Sequence, residues 1–197
     1  MKLGTASLTR SARIAVTAGV LLGFLQTNPL RAAERPSVGS FATDDGALMG
    51  VFPCSPTSFQ EPAPLASMPP VRGYKCGGPT FQARVQYFDY PPTAVDPKVI
   101  LDHARDGSLS NVKDGRLVSE QTGMLAGRPG REVVIAAQGV TLRERFVVEG
   151  DDNKTRLYVI SFGTVPSEAT NPQIQAFFDS IRFKTDRTGG PSRARAR

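Results

Sequence analysis

The chain has one histidine, His103, and two cysteines, Cys54 and Cys76, in 197 residues. That scarcity excludes several kinds of chemistry. A hydrolase triad needs a base, most often histidine. His103 stands alone in the helical-looking "DHARD", where an ordinary helix position, or a surface pair with Asp106 one turn on, accounts for it. A structural zinc site needs roughly three or four nitrogen or sulfur ligands, and no C-x-x-C spacing brings the two cysteines together. No P-loop or dinucleotide fingerprint is present. "GRPGRE" (Gly127–Glu132) has two glycines but lacks the Lys-Ser/Thr that reaches phosphates. "GDDNK" (Gly150–Lys154) offers about three oxygens at a hairpin tip, where calcium takes roughly six to eight, and reads as a polar turn. No catalytic, metal or cofactor residue is therefore assigned.

The chain also lacks a long hydrophobic run. "IAVTAGVLLGFL" (Ile14–Leu25) is free of charge but shorter than the ~20 residues of a membrane span. It follows Lys2, Arg10 and Arg13, precedes the small residues Ala32 and Ala33, and no acid appears before Glu34. This order reads as a secretory signal peptide over residues 1–33, with an uncleaved anchor as the alternative. At the other end, residues 186–197 ("DRTGGPSRARAR") read as a disordered basic tail. The net charge is +6. Setting aside Lys2, Arg10, Arg13 and Arg31, then Arg187, Arg193, Arg195 and Arg197, leaves −2 for residues 34–186. The basic character belongs to the ends, so the domain has no excess of cations for binding nucleic acid.

What remains is enough for one domain with one core. Residues 34–46 read as an irregular segment with one short strand near Phe41, and 47–185 as the domain. Alternation predicts strands at Leu48–Phe52, Val71–Cys76, Thr80–Tyr90 and Arg116–Gly123, then a meander from Gly130 to Thr164 with turns at Gly139 and "GDDNK". "SPTSFQEPAPLASMPP" (Ser55–Pro70) carries five prolines and reads as a long surface loop. Asp96-Pro97 and Asn171-Pro172 each place a capping side chain before a proline suited to the first helical turn. Ile100, Leu101 and Ala104 face the sheet from the first helix. Ile174, Phe177, Phe178 and Ile181 form one apolar stripe on the second, and a short final strand follows it. The fold expected is α+β, an antiparallel sheet sandwiched between helices.

The order of these pieces resembles the PsbP-like / DcrB-like superfamily of secreted and periplasmic bacterial proteins. The matching stretches are "VFPCSP", "VDPKVILDHARDGSLSNVKDGRLVSEQ", "LAGRPGREVVI", and "RLYVISF" followed by "NPQIQAFFDSIRF", together spanning residues 47–184. Cys54 stands where the family more often has glycine, and Ser55–Pro70 is richer in proline. The resemblance implies the α/β/α sandwich and an exported location, without a shared catalytic site.

Cys54 ends one predicted strand and Cys76 the next. An exported protein folds where disulfides persist. As a nucleophile Cys54 would need a nearby base or positive helix end, and as a ligand it has no company, so a Cys54–Cys76 disulfide is expected. The function expected is that of a periplasmic or secreted, non-enzymatic binding or accessory protein. It would act through a protein or envelope partner, with membrane contact only through an uncleaved signal segment or the basic tail. The alternatives are a small-ligand binder with a pocket beside the Pro-rich stretch, or an enzyme using an unrecognised carboxylate site. Export with trimming predicts a mature N-terminus near Ala33 or Glu34, read by mass spectrometry of protein from the native host; retention of Met1 would contradict it.

Overall fold

The computed structural model describes residues 39–63, 69–90, 95–151 and 154–184. The expected signal segment and basic tail lie outside them. Among the described residues, ten strands and two α-helices follow one another: β1 (Gly39–Ala42), β2 (Leu48–Phe52), β3 (Thr57–Glu61), β4 (Val71–Gly77), β5 (Phe81–Tyr90), α1 (Pro97–Asn111), β6 (Arg116–Leu125), β7 (Arg128–Ala137), β8 (Val140–Asp151), β9 (Lys154–Thr164), α2 (Pro172–Ser180) and β10 (Arg182–Phe183). A short 3₁₀ turn at Pro166–Glu168 precedes α2.

The strands form two antiparallel sheets. The large one has the order β3-β4-β5-β9-β8-β7-β6, the small one β1-β2-β10. In β9 successive side chains serve opposite faces. Tyr158, Ile160 and Phe162 join one apolar cluster, and Leu157 and Val159 the other. The second cluster takes in Ile100, Leu101 and Ala104 of α1. The first takes in Ile174, Phe177, Phe178 and Ile181 from the α2 region, with Phe41, Leu48 and Phe52 of the small sheet. The molecule is thus chiefly antiparallel β-structure with two helices, and richer in sheet than a plain helix–sheet–helix sandwich. One face is covered by α1, the other by α2 and three strands together.

The local signals act as the sequence suggests. The Asp96 side chain accepts from the Lys98 amide, and the Asn171 side chain from the Gln173 amide, each just ahead of a helical proline. Gly139 takes the left-handed turn between β7 and β8 at φ 81°. Two readings need correction. The Ser55–Pro70 stretch is not all loop: Thr57–Glu61 forms edge strand β3 against β4. Pro56 and Pro62 bracket it and leave five proline-free residues, as an edge tolerates, and Phe59 packs against the α1-side core. The short strand expected near Phe41 is β1, which pairs with β2 along its length, because Phe41 belongs to the core. The β6–β7 hairpin is also longer than the alternation indicated. It closes through Ala126 and Gly127, both at positive φ (50° and 80°), the geometry that suits a two-residue hairpin turn.

Cys54 and Cys76 are joined in a disulfide, with Cα atoms 5.8 Å apart. The bond ties the exit of β2, in the small sheet, to β4 in the large one. For the observed separation of 22 residues, chain entropy gives a contribution of roughly 3 kcal/mol.

Phe177 sits where the layers meet, its ring centroid 5.2 Å from Phe52, 5.3 Å from Phe178 and 5.8 Å from Phe162. Phe177→Ala is expected to lower stability by about 3–5 kcal/mol in denaturant titration. A change below about 1 kcal/mol would mean that this ring does not hold α2 in place.

Candidate functional site

Charge gathers where the β1–β2 turn comes down on the ends of β5, β8 and β9. Arg156 of β9 is its hub. It bonds Asp89, directly across on β5, at 2.6 and 3.1 Å, and Asp45 from the turn. Its guanidinium lies over the rings of Tyr87 and Tyr158, 4.8 and 5.8 Å from their centroids. The Tyr158 hydroxyl donates to Glu149 at 2.8 Å. Arg128 bonds the same carboxylate and the Lys184 carbonyl, and lies 4.7 Å over Phe183. Beside this network opens a cleft of about 360 Å³, whose charged lining is Asp45, Glu149, Lys154, Arg156 and Lys184.

The electrostatics follow from the pairing. Burial alone would raise the Asp45 carboxyl, but the Ala47 amide, the Arg156 guanidinium and the Thr43 hydroxyl together hold it down at about 2. Burial also works against the charge of Arg156, yet its bonds to Asp89 and Asp45 outweigh that, and it is held more firmly cationic than usual. Burial is the main cause that raises the Tyr158 hydroxyl. The ions answer one another, so the cluster clamps the small sheet's turn onto the large sheet. Asp45 contributes above its unfolded value of 3.8, and this contribution is lost as pH falls towards 2.

A second cluster lies under α1. Cross-strand register sets Arg84 of β5, Ser161 of β9 and Glu144 of β8 in one row, and Ser108 comes down from α1. Glu144 is 1% exposed. Its carboxyl is raised to about 7, by burial first, with Ser108 and Arg84 tempering the shift. Even so, neither Glu144 Oε2 nor Ser108 Oγ completes a hydrogen bond among the described residues. Arg84 is engaged elsewhere, with Glu61 at 2.7 Å and over the Phe59 ring at 4.2 Å. Glu144 is an acid kept neutral by its surroundings: its direct neighbours in the row are Val133 and Ser161, and the other carboxylate of the row, Glu120, stands two strands away on β6 and pairs with Arg105 and Arg131.

The sequence-derived candidates scatter. Cys54 and Cys76 meet, as a disulfide. His103 is exposed on the outer side of α1, and Asp106 pairs with Arg105 at 2.8 Å rather than with it. Asp152 and Asn153 of the polar turn lie outside the described residues, as does the side chain of Asp151. The cleft takes its lining from the β1–β2 turn, β8, β9 and Lys184, not from Ser55–Pro70. Sequence reasoning missed Arg156 and Glu144. A signal was present for Glu144: Leu142, Glu144, Phe146 and Val148 share one strand face, so an acid sits in an apolar phase. For Arg156 there was none, because Asp45 and Asp89 are distant in sequence.

No family model matches the chain, and no curated protein matches it. Solved structures that it is similar to include LpqN of Mycobacterium tuberculosis, described as involved in cell envelope biogenesis. The two share 12% identity over 80% of this chain and 90% of that one, with a TM-score of 0.48. Cyanobacterial PsbP from Synechocystis is 8% identical over 80% and 98%, TM-score 0.47. The Ran-binding protein Mog1p of Saccharomyces cerevisiae is 12% identical over 75% and 96%, TM-score 0.39.

Glu144 sets a pH dependence whose sign is fixed. The native carboxyl stays protonated up to about pH 7, whereas the unfolded one ionises near 4.5. Between these values the native state holds the extra proton, so stability falls as pH rises, by up to roughly 3 kcal/mol. Glu144→Gln is expected to flatten that slope and to be more stable than the unsubstituted protein at pH 8, measured by denaturant titration from pH 4 to 8. An unchanged slope would show that Glu144 ionises normally in the native state.

Proposed function

We propose that this protein is an exported, non-enzymatic binding or accessory protein that works through a protein partner of the cell envelope. The observation that carries the reading is the outer face of the small sheet. Phe41, Leu48, Gly50 and Phe52 point inward, and a Cβ on Gly50 would come within 2.8 Å of Ile181. Their neighbours therefore point out. Met49 is 44% and Val51 38% exposed, with Ser40, Ala42 and Arg182 exposed around them. Two large apolar residues side by side on the middle strand of a sheet are uncommon on a face that meets only water. Arg182 stands opposite Met49 in the register, and Lys184 is exposed just beyond it. The partner this face suits is a protein surface with an apolar strip edged by carboxylates. The disulfide supports an oxidising compartment. The charged cleft supports binding less well, since its ions are largely committed to one another.

A photo-crosslinking residue at Val51, introduced in the native cells, is expected to give a discrete protein adduct, and one at His103 on α1 none. Val51→Glu is expected to weaken capture of the partner so identified about tenfold or more while leaving the melting temperature within a few degrees. No adduct at Val51, or an adduct indifferent to Val51→Glu, would remove the basis for this reading.

A further inference from the structure

The two edges of the large sheet are guarded unequally. β3 is five residues long and flanked by Pro56 and Pro62, the kind of edge that resists pairing. β6 ends the other side with ten residues and no proline, and Leu117, Val118 and Met124 are exposed along it, Met124 by 66%. Its acid gives no protection, because Glu120 turns over the sheet to Arg105 and Arg131.

We propose that β6 pairs antiparallel with β6 of a second copy of this chain, about a two-fold axis through Gln121, joining two seven-stranded sheets into one. The register follows from the strand itself. Leu117 lies across from Ile135 and Met124 across from Pro129, with the irregularity at Val118 between Leu117 and Ser119. Leu117 and Met124 thereby share the α1 face of the sheet although an odd number of positions separates them. A two-fold axis perpendicular to the sheet keeps faces together, so directly opposed residues must share a face. With the axis at Gln121, Leu117 opposes Met124 of the second copy, and Met124 its Leu117. Glu120 opposes Thr122, Ser119 opposes Gly123, and Arg116 opposes Leu125. Both apolar pairs form and no like charges face each other. Moving the axis to Glu120 sets that carboxylate against itself and leaves Met124 opposite Gly115, beyond the strand. Moving it to Thr122 puts Leu117 opposite the Ala126–Gly127 turn and Met124 opposite Glu120. Of these three axes only Gln121 pairs Leu117 with Met124, and it engages an edge separate from the face assigned above to the partner.

The test is sedimentation equilibrium of the protein as isolated from its native cells, with the disulfide intact. A mass of twice the isolated chain is expected. Gln121→Glu places like charges on the axis and is expected to raise the dimer dissociation constant about fivefold. Met124→Lys removes both apolar pairs and is expected to raise it about tenfold or more. An equimolar mixture of Gln121→Glu and Gln121→Lys should recover the dimer, which a general loss of stability would not allow. Both positions are exposed, and unchanged melting temperatures confirm that the variants fold. A monomer at about 100 μM, a dimer indifferent to all three substitutions, or a foreign extended segment found paired to β6 of a monomeric chain would each overturn the proposal. None of these outcomes bears on the Val51 adduct, so the two ideas fail separately.

Discussion

β9 is buried from Arg156 to Thr164, and every other layer takes its position from that strand. A strand with apolar side chains on both faces cannot be satisfied by a two-layer fold. One face must find a helix, and the other must find something else of comparable area. α1 meets the first need. α2 is nine residues long, and it shares the second face with the small sheet. The aromatic contacts of Phe177 to both Phe52 and Phe162 mark where this division is made.

The disulfide and the Arg156 cluster follow from the same constraint. A small sheet held to a large one only through side chains has a weak hold at its margins. Cys54–Cys76 fixes one of them covalently. At the β1–β2 turn, the pairing of Asp45 with Arg156 fixes another. Such ion pairs gain strength from partial burial and from aromatic faces beneath the cation. They also leave little unspent charge in the cleft beside them, which is why the exposed apolar surfaces, rather than the cleft, carry the functional reading.

Glu144 belongs to a different economy. It lies in the α1-side core, where an apolar residue would be expected to serve stability better. Its neighbours Ser108 and Arg84 temper the cost of its burial without removing it. The expected result is a core whose stability falls as pH rises from about 4.5 to about 7.

Much of the fold was legible in the sequence because it rests on local rules. The caps at Asp96 and Asn171 and the i, i+3, i+4, i+7 stripe from Ile174 to Ile181 depend on the spacing of neighbours along the chain, as do the alternation in β4 and β5, the unbroken apolar run of β9 and the turn at Gly139. The disulfide was legible because only two cysteines exist. Tertiary structure decided the rest. Proline content hid β3, since pairing with β4 overrides the loop signal once Phe59 has a core to enter. Phe41 gave a hint of β1, but only its contact with Phe52 and Tyr74 makes it part of the domain. The partners of Arg156 come from positions 45 and 89, and the outward face of Met49 and Val51 exists only because Phe52 and Leu48 have claimed the other side. Periodicity tells that a strand has two faces. Which face meets the core, and which charges meet across it, is settled by packing between residues far apart in the chain, and sequence spacing carries no record of that distance.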